Sequence, residues 1–140
     1  MQKNKISELL DACSILNVSA KKISAENFES KKNEIFKKYH PEQTVNHYSI
    51  GGDSIVLPTE EYEFSLFENF PNINILLFFG SDSKEDCLSI ESLSSLSKIM
   101  ENCYGMEYFV SDQDASFLIS VNWYVINLQG AAKQWVPSGF

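Results

Sequence analysis

There is no arginine in this chain. All eleven cations are lysines, set against nineteen acidic residues for a formal net charge of −8. Arginine supplies the planar fork that grips phosphates and guanine edges with two parallel hydrogen bonds. Its absence, on an acidic background, argues against a reader of nucleic acid. Cysteine is scarce as well. Cys13, Cys87 and Cys103 are odd in number and widely spaced, so they form neither a disulfide framework nor a C-x-x-C redox or zinc pair. They read as buried thiols packing as small hydrophobes. Long apolar runs are missing. The longest, Ile73 to Phe79, is strand-sized and far short of the ~20 residues that span a bilayer. The first residues carry no apolar h-region and no small-residue cleavage site, which points to the cytoplasm.

What is present is a core. Hydrophobic residues make up 44% of the 140, and aromatics 13%, too apolar for a disordered chain and enough for one domain over 1–140. The charge is uneven. Residues 1–40 hold eight lysines against five acids, whereas 41–140 hold three lysines against fourteen. A lysine-rich start is simply read as the solvated face of helices. The acidic remainder favours a basic macromolecular partner, since complementary fields speed association and reject wrong partners.

Apolar residues at steps of three and four (Ile6, Leu9, Leu10, Cys13, Leu16) predict a helix over 5–18. A second is predicted over 25–39, capped by Ser24 and striped by Phe28, Ile35, Phe36 and Tyr39. His40-Pro41 ends it. The stretch 41–54 is polar with a turn at Gly51-Gly52-Asp53, and Ile55-Val56-Leu57 is a short strand before Pro58. Thr59 with Glu60 and Glu61 points to a short helix in the ambiguous stretch 59–69. Residues 72–79, N-I-N-I-L-L-F-F, form the clearest strand, turning continuously apolar as in a strand covered on both faces. A helix over 91–103 follows, and then strands at 106–110, 117–121 and 124–128. Helices first and strands later predict an α+β domain, with the N-terminal helices packed on one side of a mostly antiparallel sheet.

No catalytic constellation emerges. His40 and His47 lie in the polar segment without a convincing nucleophile or orienting acid. Drawing His47, Asp53 and Ser54 as a triad is weaker than reading them as a polar turn. Gly51-Gly52-Asp53-Ser54 lacks the spacing and lysine of a phosphate loop. Asp82-Ser83-Lys84-Glu85-Asp86 has a lysine where a calcium loop needs oxygen donors. The chain is therefore expected not to be an enzyme and to use no metal or cofactor. What remains is surface. Acids bunch at Glu60, Glu61, Glu63 and Glu68, at Asp82, Glu85 and Asp86, and at Asp112 and Asp114. Loops on a rigid scaffold often carry binding residues. Trp123, beside Asn122 at a strand bend, is the aromatic expected to be exposed as an anchor.

The segments N-I-N-I-L-L-F-F-G (72–80), C-Y-G-M-E-Y-F-V-S-D (103–112) and S-F-L-I-S-V-N-W-Y-V-I (116–126) carry a resemblance over roughly half the chain. They resemble small acidic bacterial immunity proteins of polymorphic-toxin and contact-dependent growth-inhibition systems. The resemblance implies a stoichiometric inhibitor of a cognate toxin, with a basic nuclease domain the expected class. The expected contacts run along one acidic 60–114 edge: Glu60, Glu61, Glu63, Asp82, Glu85, Asp86, Asp112 and Asp114, with Trp123. A non-catalytic interaction module or adaptor of a phage or secretion system is the alternative.

Overall fold

A computed structural model describes residues 5–39, 41–44, 47–50, 55–79, 86–103 and 106–136. Helix α1 (Lys5–Ile15) leads through strand β1 (Ala20–Ile23) to helix α2 (Ala25–Tyr39). Strands β2 (Pro41–Thr44) and β3 (His47–Ile50) follow, then β4 (Ile55–Pro58) and the single helical turn α3 (Thr59–Tyr62). A 3₁₀ turn at Leu66–Asn69 leads to β5 (Ile75–Phe78) and β6 (Cys87–Ile90). A second 3₁₀ turn (Leu93–Ser95) opens α4 (Leu96–Glu101), before β7 (Tyr108–Ser111), β8 (Phe117–Val121), β9 (Val125–Gly130) and a last 3₁₀ turn at Ala131–Gln134. Among the described residues, no helix is long and apolar enough to cross a membrane.

Seven strands form one sheet in the order β1-β6-β5-β7-β8-β9-β4, and every neighbouring pair is antiparallel. Among the described residues, strands β2 and β3 form a separate two-stranded sheet. The α+β class and the antiparallel sheet are as expected. The helices are divided, however, and do not share one side. Side chains alternate across a strand, and here both sets are apolar. Leu77, Leu88, Val110 and Ile119 meet Ile6 and Leu9 of α1 and Leu96 and Ile99 of α4 in one core. Leu76, Phe78, Phe109 and Leu118 meet Phe28 and Ile35 of α2 in a second. β5 is buried at all four positions because helices cover both its faces. In the second core Phe28 packs on Phe78 at 5.0 Å, Phe36 on Phe109 at 5.2 Å, and Phe78 stacks on Phe109 at 5.7 Å. Such ring pairs each add about 0.5–1.5 kcal/mol to plain burial.

Helix α2 starts as its sequence predicts. Ser24 Oγ accepts the Asn27 N–H at 3.2 Å, the side-chain cap that orphan N–H groups of a first turn need. Strand β1, A-K-K-I, lies in a stretch with no alternating pattern and is formed by pairing with β6.

Candidate functional site

Register sorts the sheet into two ends. Pro58, Phe78, Cys87, Tyr108, Val121 and Val125 lie at one, and Ile55, Ile75, Ile90, Ser111, Phe117 and Gly130 at the other. The first is termed the tryptophan end and the second the Asp112 end. From Ser116 to Asn122 along β8 is roughly 20 Å at ~3.3 Å per residue. The acids expected on one edge are therefore split between opposite ends.

At the Asp112 end the carboxylate is used internally. Asp112 Oδ1 accepts the N–H groups of Asp114 at 3.2 Å and Ser116 at 2.9 Å, and the Ser116 hydroxyl donates to Oδ2. This closes the β7–β8 turn. Helix α2 then locks it: Lys38 Nζ and the Tyr39 hydroxyl both donate to the Ala115 carbonyl, at 2.8 and 2.7 Å, and Lys31 Nζ donates to the Gln113 carbonyl at 2.7 Å. Burial, with the charge of Asp112, raises the Tyr39 hydroxyl above its usual range. Asp114 is exposed beside these lysine contacts. Asp112 thus organises its own loop.

Asp86 is also spoken for. Its Oδ1 accepts the Ala25 N–H at 2.9 Å, and its Oδ2 lies 3.9 Å from Lys22 Nζ. A carboxylate at the first turn of α2 is held by orphan N–H groups and the helix dipole. Asp86 sits at the tryptophan end, yet β6 is three strand spacings from β8, about 14 Å at ~4.8 Å each. Asp82 and Glu85 lie outside the described residues.

Glu60, Glu61, Glu63 and Trp123 do come together. The β8–β9 turn is Trp123-Tyr124, and Asn122 N–H donates to the Val125 carbonyl at 3.1 Å. Two-residue hairpin loops usually take positive φ at a central residue; neither Trp123 nor Tyr124 does. The buried Asn122 side chain compensates, its Oδ1 accepting the N–H groups of Tyr124 and Val125, each at 2.8 Å. Thr59 ties α3 to this turn. Its hydroxyl donates to the Asn122 carbonyl at 2.8 Å, and its N–H to the Tyr124 carbonyl at 3.1 Å. The cap expected of Thr59 is replaced by Pro58, because the threonine bonds the hairpin instead. Just before β7, Glu107 Oε2 accepts the Trp123 N–H at 3.3 Å.

The result is a rigidly held tip with its aromatic residues outward. Trp123 is 50% exposed and Tyr124 70%, and Phe64, just past α3, is 44% exposed. Glu60 and Glu61 are exposed, and Glu63 is half-buried with burial raising its carboxyl above the usual range. Tyr124, Phe64 and Glu107 were not anticipated from sequence. Only the Asn-Trp-Tyr order at a bend signalled the turn.

The sheet edges offer less. Because Thr59 N–H reaches Tyr124, antiparallel alternation turns the backbone of Val56 and Pro58 outward, and proline has no N–H to add to a ladder. At the other edge β1 presents exposed Lys21 and Lys22. Both are ordinary defences against strand addition.

Chemistry is muted. Burial pushes the thiols of Cys13 and Cys103 up to about 11 and that of Cys87 to about 12, the opposite of an activated nucleophile. Among the described residues, no group of three or more His, Cys, Asp or Glu could hold a metal ion. Set against known proteins, the chain matches no protein-family model, no curated protein and no solved structure.

Proposed function

We propose that this chain is a stoichiometric binding protein that neutralises a basic protein partner through the tryptophan end of its sheet. The partner class is a bacterial toxin domain, with a basic nuclease the expected kind, and the chain is its immunity protein. One observation carries this reading: two large aromatic residues stand exposed on a hairpin pinned by Asn122 and Thr59, beside the exposed carboxylates of Glu60 and Glu61. Rigid aromatic anchors with low ordering cost dominate protein interfaces. Carboxylates around them steer a cationic partner into place. The net charge of −8 extends that field over the molecule.

The test is co-expression with the product of the adjacent reading frame. Protection should be complete with the wild-type chain and lost with Trp123→Ala combined with Tyr124→Ala. Cells left fully sensitive by the wild-type chain would overturn the reading.

A further inference from the structure

The hairpin that carries Trp123 is wired differently from an ordinary two-residue turn. Residues flanking such a loop exchange both backbone hydrogen bonds. Here the Asn122 N–H donates to the Val125 carbonyl at 3.1 Å. The returning Val125 N–H donates instead to the Asn122 side chain, whose Oδ1 also accepts the Tyr124 N–H, each at 2.8 Å. The Asn122 carbonyl is thereby turned over to another element. It accepts the Thr59 hydroxyl at 2.8 Å, across 63 positions of sequence. The Thr59 N–H makes a second link, to the Tyr124 carbonyl at 3.1 Å. Thr59 and Asn122 are both buried, at 4% and 6% exposed. Thr59 thus grips the Trp123-Tyr124 loop on either side, and the next two residues of its helix are Glu60 and Glu61.

We infer that Thr59 is the positioning residue of the tryptophan end. Its hydroxyl fixes the posture of the aromatic turn, and its helix fixes the acidic pair against that turn. The inference deepens the reading of this end as the docking site for a basic protein, and rests on it. Aromatic anchors and carboxylates carried by two separate elements would otherwise be ordered during binding, at a cost in affinity. Held by one residue, they meet the partner at a spacing set beforehand. That spacing is a selection rule: the partner must place an apolar recess and a cationic site at the matching separation. Thr59 is buried and acts through Asn122 and Tyr124.

The test has one arm without the partner and one with it. In the free chain, Thr59→Val keeps the outline of the side chain and deletes its donor. Amide exchange followed by NMR should quicken roughly tenfold at Thr59, Tyr124 and Val125, the worth of one buried hydrogen bond. The Asp114 and Ser116 amides at the opposite end should keep their rates, and Thr59→Ser should restore the wild-type pattern. In the second arm, the product of the adjacent reading frame is the binding probe. Thr59→Val should weaken its binding roughly tenfold, through faster dissociation, and Thr59→Ser should restore it. Combined with Trp123→Ala, Thr59→Val should weaken binding little further, because its effect passes through Trp123. A merely structural role would add its loss to either background. Unchanged exchange at Tyr124 and Val125, wild-type affinity in Thr59→Val, or fully additive losses would each overturn the inference. Trp123-dependent binding that ignores Thr59→Val would leave the functional reading standing and remove this inference. Quickened exchange at the turn, with no binding by the wild-type chain, would remove the functional reading and uphold the hold of Thr59 on the turn.

Discussion

The two ends of the sheet are built from similar materials and do different work. Each has a turn joining antiparallel strands, with acidic residues in or beside it. At the Asp112 end the turn folds inward: its carboxylate collects three donors from Asp114 and Ser116, and α2 reaches over to bind the Ala115 and Gln113 carbonyls. At the tryptophan end the turn's polar bonds are supplied by Asn122, Thr59 and Glu107. Its large side chains and two neighbouring glutamates remain at the surface. An acid in a loop is thus not a binding residue until its hydrogen bonds have been counted. Where local N–H groups use the carboxylate, the charge stabilises the fold; where they do not, it is available to a partner.

Substitutions can break this contrast. The largest effect is expected at Gly130, with φ 73° and ψ −144°, a backbone region that only glycine enters readily. A Cβ there would lie 2.7 Å from the Ser116 carbonyl oxygen and 2.7 Å from the Tyr39 hydroxyl. Gly130→Ala should cost about 3 kcal/mol in urea unfolding, and partner affinity should survive in the fraction that remains folded. Trp123→Ala should show the inverse. It loses about 2 kcal/mol or more of binding, some thirtyfold in Kd, while stability changes by less than about 0.5 kcal/mol. Asp112→Ala should destabilise by about 1–2 kcal/mol through its lost turn bonds and leave affinity unchanged. If it weakens binding as much as Trp123→Ala, the division of labour is wrong.

Smaller effects sharpen the picture. Glu60→Gln with Glu61→Gln should slow association severalfold at low salt and much less at high salt, with little change in melting temperature. Glu63 has a sign of its own. Its folded carboxyl titrates above the ordinary value because burial disfavours the charge. The folded state therefore holds its proton more tightly, and stability falls as pH rises from the ordinary carboxylate range through the raised one. Glu63→Gln should melt slightly higher than the wild type at neutral pH, and the gap should close below the ordinary range.

Much of the fold was legible in the sequence because burial writes itself into spacing. The stripe of Phe28, Ile35 and Phe36 marked α2, and Ser24 marked its start. The unbroken apolar run at 75–78 also implied a strand covered on both faces. That expectation sits uneasily with helices on one side only, and the structure decides for the run: α1 and α4 cover one face, α2 the other. Strand β1 was not legible, since A-K-K-I gains its strand character from β6 alone. The helix expected over 91–103 opens as a 3₁₀ turn and is α-helical only over Leu96–Glu101. The acidic site was half legible. Composition located the carboxylates and the Asn-Trp bend, but not which end of a strand each acid occupies. That depends on register between segments far apart in the chain, as when Tyr108 pairs with Val121 and Pro58 with Val125. Glu107 joins the site through that pairing, whereas Asp86 is three strand spacings away and is held by the Ala25 N–H.

The most direct measurement is hydrogen–deuterium exchange on the chain alone and in complex with the basic partner proposed for it. Strong new protection is expected over 59–65 and 122–125, with 112–116 exchanging as before. Protection confined to 112–116, or spread equally over both ends, would contradict a single docking end built around Trp123.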